Sequence, residues 1–217
     1  PKDLLNCSQS KLIDLGFTPL KIQKMKLNTK AFIQNKILFK DLVEIPKQKL
    51  IFVDIETDLS QSYIWMITIL NQGEKTIKKF FAKTPKEEKK ILQKFLKFLE
   101  NKKNPILCYY SGTLFDERVI KSRIEHYKLK NNLNVIWFDI KNSISKSIIL
   151  PIADYGLKNT AKSLGYEYNF PEYDGMMIAR NYELLNNKKL AKKLKNPHQI
   201  LTIINKYTDD DVKSLNF

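Results

Sequence analysis

Soft and imidazole metal ligands are scarce in this chain: two cysteines and two histidines in 217 residues. Cys7 and Cys108 stand far apart, no Cys-x-x-Cys is present, and only His126 and His198 are left to complete a set, which excludes a zinc site of any common spacing. Long apolar runs are lacking too. The longest, "YIWMITIL" (63–70), is far short of the roughly 20 residues that span a bilayer, and no basic-then-apolar leader opens the sequence. These absences describe a soluble protein of a reducing cytoplasm, with no membrane contact. No repeat or low-complexity tract interrupts the chain. A first residue of Pro rather than Met reads as a processed or excerpted chain.

What is abundant is positive charge. Thirty-eight Lys and Arg against 23 Asp and Glu leave a net +15, a balance that favours polyanionic partners such as nucleic acid or an anionic membrane surface. Hydrophobic residues make up 43% of the chain, enough for a buried core in one domain with a small appendage.

Residues 1–48 read as a basic helical N-terminal segment. "SQSKLIDLGF" and "TPLKIQKMKLNTKAFIQNKILFKD" space their apolar residues by threes and fours, with Thr18 as cap and Pro19 at the first helical position. Through residue 49 the segment carries ten lysines against Asp3, Asp14, Asp41 and Glu44. It is either a nucleic-acid clamp or a helical cap with a solvated lysine face. The second reading is adopted, because no glycine-bearing hairpin is there to grip phosphates.

Residues 49–217 form the second domain. Three strands are expected at 49–56, 62–70 and 75–82, joined by connections short enough for an antiparallel meander, with "NQG" at 71–73 as a turn. Thr84, Pro85 and Glu87 form a capping box that opens a helix through about residue 102. A strand at 104–110, a helix at 114–127 and a strand at 133–140 follow. Then come helices at "DYGLKNTAKSLG", with Asp154 as cap and Gly165 as stop, and at 172–184, 187–195 and 198–214. This order resembles that of a ribonuclease-H-like α/β fold, a mixed five-stranded sheet flanked by helices.

Acids recur at three places in this frame. In "IFVDIETD" (51–58) strand alternation points Asp54 and Glu56 to one face, and two carboxylates so crowded call for a cation, with hard oxygen ligands suiting Mg2+ or Mn2+. Asp116 opens the helix after the fourth strand, with Glu117 beside it as a competitor. Near the C-terminus, Tyr207 and Asp211 lie four residues apart on one helix face, next to Asp209 and Asp210. Each also has an ordinary reading, as a wet strand end, a first-turn acid, or a solvated helix end.

"FVDIETD", "SGTLFDERVI" and "YTDDDV" occur in the order and approximate spacing of the three motifs of the DEDD 3′–5′ exonuclease superfamily, in the subgroup whose third motif is Tyr-x-x-x-Asp. The sequence resembles the YprB-type ribonuclease-H-like domain over about residues 49–215. There "YGLKNTAKSLGY" (155–166) is similar to a Ser-Leu-Lys stretch and "YDGMM" (173–177) to an Asp-Gly segment. The resemblance implies a metal-dependent 3′–5′ exonuclease, a phosphodiester hydrolase acting on single-stranded DNA or RNA 3′ ends. It also implies that Asp54, Glu56, Asp116 and Asp211 hold two Mg2+ or Mn2+ ions and that Tyr207 orients the attacking water. Asp54 would bridge the ions, Glu56 and Asp211 would serve the water side, and Asp116 the other.

Two departures bear on it: Thr208 stands where Asn is usual, and the variable second motif leaves Glu117 in play. No RecB-type nuclease motif accompanies the domain. A non-catalytic nucleic-acid-binding module with the same fold and a structure-specific endonuclease are the competing readings. Lys158 at the rim, Tyr109 or Tyr110 as stacking platforms, and Asp139 as a support for a ligand are secondary candidates.

Overall fold

The computed structural model describes residues 2–42, 45–130, 133–187 and 196–217. They divide into two compact units, 1–45 with 141–166, and 46–140 with 167–217.

The larger unit is built on a five-stranded mixed sheet. Its strands are β2 (Leu50–Thr57), β3 (Ile64–Asn71), β4 (Ile77–Phe81), β5 (Ile106–Tyr109) and β6 (Ile136–Asp139), in the order β4-β3-β2-β5-β6. β2, β3 and β4 pair antiparallel in sequence, whereas β5 joins β2 and β6 joins β5 in parallel. That division follows from the connections. Short turns such as Asn71–Gly73, where Gly73 takes φ +80°, allow antiparallel neighbours, while the parallel pairs are reached through helices Glu88–Glu100 and Phe115–His126. β2 and β3 are buried almost end to end, as strands covered on both faces are.

Strand parity divides the core. Ile51, Val53 and Ile55 face a large cluster with Ile91, Leu92, Phe95 and Leu99 of the first helix and Val119, Ile120 and Ile124 of the second. Leu50 and Phe52 face the other way, against Leu70, Ile106, Cys108 and Val212 of the C-terminal helix Pro197–Leu215. Helix Gly175–Asn186 is seated by Tyr182, whose ring stacks on Trp65 at 4.2 Å and whose hydroxyl donates to the Ala82 carbonyl at 2.9 Å.

In the smaller unit, helices Lys2–Asn6, Gln9–Asp14 and Pro19–Gln34 accompany helix Leu157–Ser163 and a two-stranded ladder pairing β1 (Leu38–Phe39) with β7 (Ile148–Ile149). Thr18 caps the long helix as expected, accepting from the Lys21 N–H at 3.3 Å. Gly165, at φ +103°, closes the later helix as its left-handed stop. No helix among the described residues is long and apolar enough to cross a membrane.

Several local expectations need correction. The Thr84 side chain makes no cap bond. The Glu87 carboxylate accepts from the Lys83 N–H at 2.7 Å instead, and the chain enters its helix through a 3-10 turn, Pro85–Glu87. Asp154 is not the N-cap of its helix, a place taken by Gly156. It braces the approach by accepting from the Gly156 N–H at 2.7 Å and from Asn159. Strands β4, β5 and β6 are shorter than their apolar runs. Helix Ile140–Ser147 and the β1–β7 ladder carry no pattern that announced them. The helix expected at 187–195 lies, but for its first residue, outside the described residues.

Candidate active site

Alternation along β2 places Asp54 and Glu56 on the same face as Leu50 and Phe52, the face covered by the C-terminal helix. Asp211 adjoins Val212 in that helix, so the packing of Val212 carries the neighbouring carboxylate to the strand. Oxygens of Asp54, Glu56 and Asp211 all lie within 4.8 Å of one another. A β-bulge interrupts the pairing of β2 with β3 immediately after Glu56, a device that turns a strand end away from its ladder.

Asp116 approaches from helix Phe115–His126. It is buried, the Ile55 backbone N–H acts electrostatically on its carboxylate, and its charge acts on Asp54, although it lies outside the mutual 4.8 Å of the other three. Glu117, the sequence competitor, points elsewhere. It accepts from the Tyr109 hydroxyl at 3.1 Å and pairs with Lys121 at 2.5 Å.

Tyr207 sits one helical turn before Asp211, whose carboxylate acts on its hydroxyl. Burial first, and then the charges of Asp211, Glu56 and Asp54, push its phenol well above the usual range, so it remains a donor throughout the physiological pH range. Gly175, at the start of its helix, lies beside the hydroxyl, where a Cβ would meet it at 4.0 Å, an ordinary van der Waals contact.

A match to the RNase_H superfamily covers residues 51–217. The chain belongs to the RNase H superfamily. No curated protein matches it. The superfamily match and the acidic triad point to a nuclease or hydrolase, and the fold points to nucleic-acid binding.

Divalent metals serve RNase H superfamily domains, and the residues present fit one. Asp54 is half-buried as a residue, but its Oδ2 is fully enclosed and accepts no hydrogen bond among the described residues. The other charges acting on Asp54, from Glu56, Asp211 and Asp116, are all negative, and with burial as the larger cause they hold its carboxyl well above the ordinary range. An enclosed acceptor amid like charges is costly until a cation satisfies it. The all-carboxylate donor set selects a hard ion.

Other acids of this RNase H superfamily domain have structural work. Asp139, ending β6, accepts from the Gly112 N–H at 2.7 Å and the Ser111 N–H at 3.4 Å, while Ser111 Oγ accepts from the Phe115 N–H at 2.9 Å. These bonds fix the turn that delivers Asp116. The turn passes through Leu114 at φ +58°, a strained value for a branched residue. Asp210 binds the Asn169 backbone and side chain at 2.8 and 2.7 Å, and Asp209 pairs with Lys79 at 2.9 Å. Asp58, the third acid of the opening motif, accepts from Ser62 N–H at 2.6 Å and Tyr63 N–H at 3.0 Å and closes the turn after β2. Tyr109 is only 1% exposed, so its ring is packed away from any stacking partner. Asp139's grip on 111–112 has no local sequence signal, because it depends on a contact far along the chain.

Burial is the main cause raising Asp116 from the usual 3.8 to about 7, with Asp139 adding to it and the Ile55 N–H opposing it. A carboxyl with a raised folded-state pKa favours the native state below its unfolded value, and that contribution is lost as pH rises through the folded value. In chelator, the melting temperature of Asp116→Asn relative to the unchanged protein should therefore climb between about pH 4 and pH 7. A difference that stays flat over that window in paired thermal scans would contradict the burial of this carboxyl.

Proposed function

We propose that this chain is a metal-dependent 3′–5′ exonuclease of the DEDDy subgroup, similar to YprB-type domains, that hydrolyses phosphodiester bonds of DNA or RNA. The observation that carries the reading is the meeting of Asp54, Glu56 and Asp211 within 4.8 Å, with Tyr207 on the face of Asp211. Asp54, Glu56 and Asp211, with Asp116 beside them, would hold two divalent cations. Ions so held would lower the pKa of bound water and offset charge on the departing 3′-oxygen.

The protein's own groups account for the rest. Tyr207 keeps its proton and presents a fixed donor beside the carboxylates, so a water lying there is oriented by a phenol that does not ionise. Asp116 lies close enough to the first-motif strand for the Ile55 backbone N–H to act on its carboxylate. Asp139 sets the turn before it.

A strand labelled at its 5′ end and incubated with Mn2+ should shorten one nucleotide at a time from the 3′ end, giving a ladder that chelator abolishes. Internal fragments at the earliest times would instead establish an endonuclease. Intact substrate, with Mn2+ binding confirmed by calorimetry, would make the domain a binding module.

A further inference from the structure

The smaller unit carries a trough that the catalytic reading does not use. Its long helix Pro19–Gln34 borders two concavities, of about 680 Å³ and about 380 Å³, and both are lined by Lys24 and Lys40. The larger continues past Asn28 to Phe32, which is 50% exposed, with Lys141 across from them on the lining. From Leu20 to Phe32 the helix provides a wall about 18 Å long at 1.5 Å per residue.

Positive charge predominates in this trough, where Lys24, Lys40 and Lys141 line the larger concavity with Asp154. Among the described residues no carboxylate pairs with Lys24 or Lys40; the Lys40 ammonium donates only to the Ser145 carbonyl, at 3.1 Å. The Lys40 ammonium is pushed below its ordinary pKa, by burial first and then by Lys24, which reports two like charges held close. Asp154, also on the lining, is committed to Gly156 and Asn159. The unit as a whole has twelve lysines against five acids.

Such a surface discriminates among occupants. A protein segment laid on the apolar walls would bury two ammoniums without counter-charges, at high cost. A phosphodiester chain brings an anion to each lysine and a π-face for the exposed ring.

We propose that this trough binds single-stranded nucleic acid, with backbone phosphates on Lys24 and Lys40 and a base stacked on Phe32. The proposal assigns a polymer-binding site to the smaller unit and, as a handle on substrate, rests on the nuclease reading above; as a binding site it stands without it.

The test is fluorescence anisotropy of the full chain with a labelled oligothymidylate in chelator, at several salt concentrations. Lys24→Gln with Lys40→Gln should weaken binding about tenfold or more. It should also make the slope of log affinity against log salt shallower by about 1.4, as expected for two lost contacts to a single strand. Phe32→Ala should cost about tenfold with the slope unchanged. Unchanged affinity and slope in a double variant with the parent's circular dichroism and melting temperature would overturn the proposal. So would displacement of the oligonucleotide by thymidine monophosphate at equal phosphate concentration, which would make the trough a nucleotide pocket. Cleavage without trough-dependent binding sinks this inference alone, and trough-dependent binding without cleavage sinks only the nuclease reading.

Discussion

Asp54→Asn is expected to reduce hydrolysis by roughly 10³-fold, the scale of losing one preorganised electrostatic group, while making the metal-free protein more stable. The two effects share one cause. Asp54 Oδ2 is enclosed, accepts no hydrogen bond among the described residues, and is surrounded by the negative charges of Glu56, Asp211 and Asp116. The arrangement suits a bound cation and penalises the protein that lacks one. Asparagine keeps the shape, removes one of the mutually repelling charges, and points an amide donor toward the remaining carboxylates. A gain of about 1–2 kcal/mol is reasonable for relieving such a contact, and in a chain of this size it corresponds to a melting temperature higher by roughly 2–8 °C.

With Mn2+ the order should reverse. The parent gains stability through binding to the folded state alone, and the variant gains little. Thermal scans of both proteins, with chelator and with Mn2+, together with turnover of an end-labelled strand, test the pair of effects. A variant less stable than the parent in chelator, or a parent indifferent to Mn2+, would mean that the cradle is not organised around a cation.

The legible parts of this site are those whose geometry is local. Alternation alone places Asp54 and Glu56 on one face of β2, and a four-residue step places Tyr207 over Asp211. Strand and helix periodicities are set by the backbone, so residues two or four apart have little freedom to do otherwise. The five strands and most helices were readable for the same reason. The capping pattern at 84–87 failed because a nearby N–H, that of Lys83, competed for the Glu87 carboxylate and the first turn tightened to a 3-10 form. Asp139 and Asp210 act on residues 27 and 41 positions away, and such distances leave no trace in a short window. The β1–β7 ladder is two residues long on each strand, below the length at which alternation has meaning. Leu114 in the left-handed region is likewise silent in sequence, since glycine or asparagine would be the residue to look for there.

The largest expected loss of stability comes from a residue outside the cradle. Glu88 is fully buried, and its two oxygens accept four hydrogen bonds: from the Ile64 N–H at 2.7 Å, Arg123 Nε at 2.8 Å, Arg123 Nη2 at 2.6 Å and the Tyr127 hydroxyl at 2.8 Å. One carboxylate thus joins the helix Glu88–Glu100, the start of β3 and the helix that carries Asp116. Glu88→Ala strands a largely enclosed guanidinium and a backbone N–H at once, and breaking one side of such a buried pair costs about 3–5 kcal/mol. A melting temperature lower by roughly 6–20 °C follows.

Combining Glu88→Leu with Arg123→Met separates charge from packing. Removing both charges should recover most of the loss, because no uncompensated ion remains, yet the Ile64 N–H still has no acceptor and recovery should stop short of the parent. Urea titrations of the single and double variants measure this coupling directly. A single variant within about 1 kcal/mol of the parent, the scale of an exposed pair, would show that water reaches Arg123 and that this junction does not hold the Asp116 helix in place.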